Sequence, residues 1–184
     1  IALTGFLSSF SVYAGLTCIP PLCKEKLVQS GDVKIFARDW GALFPNRPTI
    51  LFAHGFPHSD LIWQDQVNSL LSIKYRIITL DLRGHGASEP KPTTADHYAP
   101  AILANDIKSV LNAFNVNKAV LVGHSYGGAP ISDFSFYGNN SRIRALVYVD
   151  ASPALNDQLA GVPADAFTAV ALTLPGPSGD PTYG

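Results

Sequence analysis

Residues 119–128 read Ala-Val-Leu-Val-Gly-His-Ser-Tyr-Gly-Gly, an apolar run that leads directly into a serine flanked by glycines. The Gly-x-Ser-x-Gly spacing predicts a sharp turn between a buried strand and a helix. Because such a turn strains the backbone of Ser125, the residues two positions away must be small, as Gly123 and Gly127 are. The turn would lift the serine hydroxyl clear of the sheet, over a helix N-terminus whose N–H groups can stabilise an anion.

The composition is that of an ordinary globular domain. The chain has 184 residues, of which 47% are hydrophobic and 15% charged, with a net charge of −1. A domain of this length can bury roughly 70% of its unfolded surface. The small net charge and the lack of a Lys/Arg cluster argue against nucleic acid as a partner.

The first segment, IALTGFLSSFSVYAGL, is apolar and uncharged. It is shorter than the roughly 20 residues of a membrane span. It is typical of the apolar core of a secretory signal peptide, with Val12 and Ala14 placed before a cleavage site at Gly15. Residues 1–14 are therefore interpreted as a signal-peptide remnant of a secreted protein without a stable membrane span. A clipped signal anchor and a buried N-terminal helix are the alternatives, and the absence of methionine predicts an incomplete N-terminus.

Two further features agree with secretion. Cys18 and Cys23 are the only cysteines, and a disulfide can close the loop Cys-Ile-Pro-Pro-Leu-Cys if the prolines bend it. Two cysteines alone make no zinc site. A sequon at Asn139 predicts glycosylation in a polar turn, although such sequons are common by chance.

Apolar runs alternate with helical patterns along the chain. The runs that predict strands are Val33–Asp39, Thr49–Ala53, 75–80, 119–122 and Ile143–Val149. The segments that predict helices are 61–71, 99–114, 126–137 and 164–174. Asp60 is expected to cap the first helix, and Leu61, Val67, Leu70 and Leu71 are available for its apolar face. This alternation predicts an α/β fold, a mostly parallel sheet with helices on both faces.

Three motifs follow three successive strands in the expected order. They are His-Gly-Phe-Pro at 54–57, Asp-Leu-Arg-Gly-His-Gly-Ala-Ser at 81–88 and the Gly-x-Ser-x-Gly turn. With them, residues 30–153 resemble the α/β-hydrolase fold superfamily, in particular its esterase, non-haem haloperoxidase and epoxide hydrolase-like branch. The resemblance implies the N-terminal part of that fold over residues 15–153, the beginning of a lid over 154–184, and no metal or organic cofactor.

The resemblance also implies roles for individual residues. Ser125 matches the nucleophile, and the backbone N–H groups of Phe56 and Tyr126 match the two donors of the oxyanion hole. Epoxide hydrolases of this branch have an aspartate at the position of Ser125. The serine therefore implies acyl transfer on a small ester-like molecule rather than an alkyl-enzyme ester. The residues of the 81–88 loop that would brace the sheet edge are Arg83, His85 and Ser88.

A serine nucleophile needs a histidine base that is oriented by a carboxylate, and in this fold the chain order is serine, acid, histidine. The histidines are His54, His58, His85, His97 and His124, and none follows Ser125. His54 is expected to hold its turn by a local hydrogen bond, and His124 to point away from the hydroxyl. Asp150 ends a strand, where a structural role is favoured over that of the acid. The chain is therefore interpreted as truncated at both ends, without acid or base, and inactive alone.

Three functions are consistent with this pattern. The leading one is a secreted serine hydrolase of the carboxylic-ester type, represented by a fragment. A non-catalytic hydrolase-like protein that binds a small apolar ligand would keep the same turns, and a cofactor-free perhydrolase or haloperoxidase would use the same residues. Phe56, Trp63 and Tyr126 suggest an apolar cleft, with a core position as the commoner explanation for Trp63. A dinucleotide-binding fold would need Gly-x-Gly-x-x-Gly after the first strand, and this sequence lacks it.

Overall fold

Six strands form one sheet in the part of the chain that the structure describes. The computed structural model describes residues 17–69, 74–89, 94–137 and 140–151. The strands are β1 (Lys24–Ser30), β2 (Val33–Asp39), β3 (Thr49–Ala53), β4 (Arg76–Leu80), β5 (Ala119–His124) and β6 (Ile143–Val149). Their order is β1-β2-β4-β3-β5-β6. The β1–β2 and β2–β4 pairs are antiparallel and the other three are parallel, which confirms the predicted mostly parallel sheet.

Helices cover both faces of the sheet, as predicted. On one face lie α2 (Pro100–Ala113) and α3 (Gly128–Tyr137); on the other lies α1 (Gln64–Asn68), preceded by a 3-10 turn (Asp60–Trp63). The first face is buried in a core that includes Leu51, Ile107, Leu121 and Phe134. The second core includes Ile50, Phe52, Trp63 and Val67. Successive residues of β3 enter opposite cores because side chains alternate across a strand.

The register of the parallel strands places the three sequence motifs side by side. Ala53, the last residue of β3, is paired with Leu80 of β4 and with Gly123 of β5. The residues that follow these strands therefore leave the sheet at the same carboxyl edge. This edge carries the 54–57 turn, the 81–88 loop and Ser125.

The strand β1 was not predicted, and Val33–Asp39 is the second strand rather than the first. Of the seven residues of β1, only Val28 and Ser30 are buried, so the segment KEKLVQS lacks a clear apolar alternation. It pairs along its whole length with β2 at the edge of the sheet. An edge strand with one partner needs few apolar side chains, which explains why its sequence is a weak strand signal.

The first predicted helix is also different in the structure. Helical turns run from Asp60 to Asn68, and residues 70–73 lie outside the described residues. The cap is Ser59 rather than Asp60: its hydroxyl accepts a hydrogen bond from the N–H of Leu61, while the Asp60 carboxylate pairs with Arg38 at 2.6 Å. Leu61 is 49% exposed, so it was wrongly expected on the buried face.

The N-terminal cysteines are joined as predicted. Cys18 and Cys23 form a disulfide, with 5.0 Å between their Cα atoms. Within the described residues, the structure contains no helix of the length and apolarity that a membrane crossing requires. The predictions of a signal-peptide remnant at 1–14, a glycosylated Asn139, a helix at 164–174 and a lid at 154–184 fall outside those residues.

Candidate functional site

Ser125 has the strained backbone that its motif predicts. It follows β5 directly and begins a 3-10 turn (Ser125–Gly127) that continues into α3. Its φ of 48° lies in the left-handed region that few residues other than glycine adopt. The β5 strand reaches His124, two residues beyond its predicted end, and α3 begins two residues later than predicted because of the 3-10 turn. The Ser125 side chain is exposed at this turn.

The two glycines that flank Ser125 leave room only for a hydrogen atom. A Cβ on Gly123 would lie 2.6 Å from the carbonyl carbon of Gly127. A Cβ on Gly127 would lie 2.7 Å from the carbonyl oxygen of His54 and closer still to that of Ala53. The turn is therefore packed against itself and against the end of β3, which fixes Ser125 relative to the 54–57 turn.

The 54–57 turn lies in direct contact with Ser125. A Cβ on Gly55 would be 2.9 Å from the Cβ of Ser125 and 2.9 Å from Nδ1 of His124. The turn is closed by a hydrogen bond from the His58 N–H to the Gly55 carbonyl, 2.9 Å long. Phe56 sits within this turn with its side chain 70% exposed. The structure thus brings three sequence-predicted positions, Phe56, Ser125 and Tyr126, to one point of the sheet edge.

His54 is fully engaged in holding this turn. Its Nδ1 lies 2.9 Å from the Gly55 carbonyl oxygen, and its Nε2 accepts a hydrogen bond of 3.0 Å from the N–H of Leu82. A ring that donates from Nδ1 and accepts at Nε2 is neutral. Burial lowers the pKa of His54 from 6.5 to about 4. The local role predicted for His54 is confirmed, and it extends to the start of the 81–88 loop.

The 81–88 loop is braced by its own aspartate and serine. The Asp81 carboxylate accepts hydrogen bonds from the N–H groups of Asp60 at 2.6 Å and Ala87 at 2.7 Å. Ser88 donates to the Asp81 carbonyl and accepts from the N–H of Phe36. Burial raises the pKa of Asp81, against the lowering effect of its two backbone hydrogen bonds. These contacts agree with the structural role predicted for Ser88.

An apolar cavity of about 490 Å³ opens next to the Ser125–Gly127 turn, which we call the serine turn. It is lined by Phe56, Pro57, Gly84, His85, Gly86, Tyr98 and Tyr126, none of which carries a fixed charge. No motif points to Tyr98, which comes from a separate 3-10 turn (Ala95–Tyr98). Nδ1 of His85 lies 3.0 Å from the Arg83 carbonyl oxygen, while its Nε2 is buried without a partner among the described residues. The cavity suits an uncharged, largely apolar group.

Trp63 belongs to the core rather than to this cavity. It is 5% exposed, and its ring centroid lies 4.6 Å from that of Phe52. The ring of His124 stands edge-on to Trp63, with centroids 6.4 Å apart. Nδ1 of His124 and Nε1 of Trp63 are buried and make no hydrogen bond in the described part of the chain. His124 therefore packs beneath the turn together with a core residue.

No base is in place at Ser125 among the described residues. None of the five histidines makes a hydrogen bond to the Ser125 hydroxyl there. Asp150, which follows β6, is exposed and has a φ of 46°. The described residues supply a positioned hydroxyl and neighbouring N–H groups, but no acid–base pair aimed at that hydroxyl.

Asp133 is a buried acid that the sequence analysis overlooked. It lies on α3, eight residues after Ser125, and is 4% exposed. Burial raises the pKa of its carboxyl from 3.8 to about 6, and no hydrogen bond or cation from the described residues counters the effect. A charged carboxylate at this position costs folding free energy at neutral pH.

We expect the Asp133→Asn variant to be more stable than the parent by about 1–3 kcal/mol at neutral pH. Because its pKa is raised, Asp133 binds a proton more tightly in the folded parent than in the unfolded chain. Acidification toward pH 4, near the pKa of an aspartate in the unfolded chain, therefore stabilises the fold. His54 has the opposite effect, because protonation of the unfolded chain below about 6.5 destabilises the fold until the pH reaches about 4. Urea unfolding across this range should show that the Asp133 and His54 effects largely offset each other in the parent, with a further gain on acidification from the raised pKa of Asp81.

Relative to the parent, the Asp133→Asn variant should lose up to about 3 kcal/mol over the same range, because it lacks the gain from Asp133 while His54 and Asp81 act equally in both proteins. Far-UV circular dichroism at each pH would check that both proteins start from the same folded state. Parallel stability curves for the two proteins would contradict the raised pKa of Asp133.

Comparison with known proteins shows which proteins this chain resembles. A family model described as the alpha/beta hydrolase fold matches residues 48–179. A non-heme chloroperoxidase of Kitasatospora aureofaciens is 32% identical over 82% of this chain and 52% of its own length. A bifunctional esterase/perhydrolase of Acinetobacter calcoaceticus is 34% identical over 67% of this chain and 43% of its own.

A solved structure shows the same likeness. The crystal structure of a candidate aryl esterase from Burkholderia cenocepacia superposes with a TM-score of 0.63 at 36% identity, covering 70% of this chain and 47% of that one. The chain spans about half the length of the curated relatives that it matches over most of its own residues.

Proposed function

Because the chain belongs to the α/β-hydrolase fold family, we propose that Ser125 is the nucleophile of a serine hydrolase that cleaves carboxylic esters. The observation that carries the proposal is the left-handed backbone of an exposed serine between β5 and α3. Strain of this kind persists where the surrounding structure imposes it, and it clusters at functional sites. The Ser125 oxygen would attack the ester carbonyl, expel the alcohol, and be released from the acyl group by water.

The N–H groups of Phe56 and Tyr126 would stabilise the negative charge that develops on the carbonyl oxygen. The contact of Gly55 with Ser125 supports this role, because it holds the 54–57 turn next to the attacking atom. Pro57 has no N–H, so within the Phe-Pro pair only Phe56 can donate. The loss of one such donor typically lowers turnover by about 10²–10³-fold.

A base must activate Ser125, and the five histidines of this sequence offer no candidate after it. His54 cannot serve, because both ring nitrogens are used within the fold. We therefore assign catalysis to the whole protein, with a histidine and an acid outside the residues described, and expect the 184 residues alone to hydrolyse esters poorly. A non-catalytic ligand-binding protein is the alternative if the whole protein has no such histidine.

Peracid or halogenation chemistry is the second candidate function. It is favoured by two relatives, whose names describe a non-heme chloroperoxidase and an esterase/perhydrolase. Hydrogen peroxide would replace water in attacking the same acyl-enzyme, so only a comparison of acceptors distinguishes the two. An alkyl-enzyme mechanism on epoxides is disfavoured, because it needs a carboxylate at position 125.

The cavity beside Ser125 indicates the kind of group the site would accept. Its lining contains three aromatic residues and no fixed charge, so an uncharged ester with an apolar portion fits best. Secretion is supported by the disulfide between Cys18 and Cys23, since such bonds persist mainly in oxidising compartments.

A fluorophosphonate probe, which reacts with activated serines, tests the proposal on the whole protein that contains this sequence. We expect one labelled residue, identified as Ser125 by mass spectrometry, and no labelling in the Ser125→Ala variant. Ser109→Ala, a half-buried serine on α2, is the matched control and should label like the parent. Folded protein that stays unlabelled at Ser125 would contradict the hydrolase function and support the ligand-binding alternative.

A further inference from the structure

A second cavity lies at the opposite edge of the sheet from Ser125. It has a volume of about 320 Å³ and is reached at the amino ends of the strands, where Thr49 begins β3 and Arg76 begins β4. We propose that this cavity binds a phosphate- or sulfate-type oxyanion. This site is separate from the proposed esterase site and does not depend on it.

The charge of the lining is the first observation. Four basic side chains contribute to it, and no acidic side chain does: Arg47, Arg76, Lys118 and Arg144. The amide side chains of Asn46, Asn115 and Asn117 and the hydroxyl of Thr49 add further possible donors. In a protein with a net charge of −1, a concave surface of one sign concentrates counter-ions of the other sign.

Arg76 provides a rigid and buried donor, which is the second observation. The residue is 4% exposed, and its Nε and Nη2 atoms bind the Asp39 carboxylate at 2.6–3.2 Å. Nη2 also donates to the Phe114 carbonyl at 2.7 Å. Its remaining nitrogen, Nη1, makes no hydrogen bond within the described residues. Arg76 therefore lines the cavity and keeps one NH2 group of a fixed guanidinium without a hydrogen-bond partner among the described residues.

The basic side chains at the rim are not explained by the helix end nearby. Three of the carbonyl groups that follow α2 are already paired, because Arg76 binds that of Phe114 and Arg142 binds those of Val116 and Asn117. Lys118 and Arg144 are exposed and form no ion pair or hydrogen bond through their side chains in the described part of the chain. Positive side chains placed around one cavity repel one another, and a bound anion would reduce this electrostatic repulsion.

The test of this site is to titrate the whole protein that contains this sequence with inorganic phosphate at constant ionic strength. Binding is monitored through the backbone amide NMR signals. We expect saturable shifts confined to residues around the cavity, with Asn117 and Lys118 among them. A double variant, Lys118→Ala with Arg144→Ala, should weaken binding at least about tenfold, since each charge-assisted hydrogen bond is among the stronger ones. Both substitutions are on exposed side chains and leave the buried Arg76–Asp39 pair intact.

The matched control is Lys24→Ala with Lys108→Ala, which removes the same charge from two exposed positions outside the cavity. It should bind phosphate like the parent. Equal weakening in the two double variants would show only a general charge effect and would overturn the site. Shifts that do not saturate, or that are spread over the surface, would also overturn it. Tighter binding of a phosphate monoester than of phosphate would support a phosphorylated molecule as the source of the anion.

Discussion

Replacing Gly127 by alanine is expected to destabilise the protein by about 3 kcal/mol, at the upper end of the cost of overpacking. The added Cβ would lie 2.8 Å from the carbonyl carbon of Ala53 and 2.7 Å from the carbonyl oxygen of His54. Both neighbours are backbone atoms, so no side-chain rotation can relieve the clash. Either β3 or the serine turn must move, and the 54–57 turn would move with it.

Urea unfolding of the Gly127→Ala variant and of a glycine control would measure this cost. Gly31→Ala is the control, because Gly31 has a φ of 60° and nothing within 4 Å of an added Cβ. Its cost should be about 1–2 kcal/mol, which is the strain of the left-handed backbone alone. If the two variants lose the same free energy of unfolding, the inference that Gly127 is closely packed against the end of β3 is contradicted. If the probe still labels Ser125 fully in Gly127→Ala, the dependence of the site on this contact is wrong.

The serine turn was predictable because its signal is local. A buried apolar run, two glycines and a serine within ten residues specify strand, turn and helix together, and the structure has each of them. The parallel strands were predictable for the same reason, since β3 and β6 have the predicted bounds. The contact between Gly55 and Ser125 arises because β3 lies next to β5 in the sheet. The spacing of residues in the sequence does not predict this strand order.

Features that depend on distant partners were not predictable. The carboxylate of Asp60 pairs with Arg38 and accepts a hydrogen bond from Thr79, two residues on strands far away in sequence. A sequence window shows only an acidic residue before a helical pattern, for which capping is the ordinary interpretation. In the same way, β1 is a strand because it pairs along its length with β2, although its own residues give only a weak strand signal.

The buried ion pair between Arg83 and Asp106 is expected to have a large coupling free energy in protein unfolding. Nε and Nη2 of Arg83 hold the two carboxylate oxygens of Asp106 at 2.6 and 2.7 Å, and both side chains are almost fully buried. Nη1 donates to the carbonyl of His97. This pair joins the 81–88 loop to α2, so it also fixes the wall of the cavity that Gly84 and His85 form.

The Asp106→Leu variant should lose about 3–5 kcal/mol of unfolding free energy, because it leaves the Arg83 guanidinium buried without its counter-charge. The Arg83→Leu variant should lose a similar amount through the stranded carboxylate. The double variant should cost far less than the sum, since two apolar side chains of similar volume can pack where the charges were. A double-mutant cycle from urea unfolding gives the coupling free energy directly. Costs that simply add would mean that the two charges act independently and that the loop is held by its other contacts.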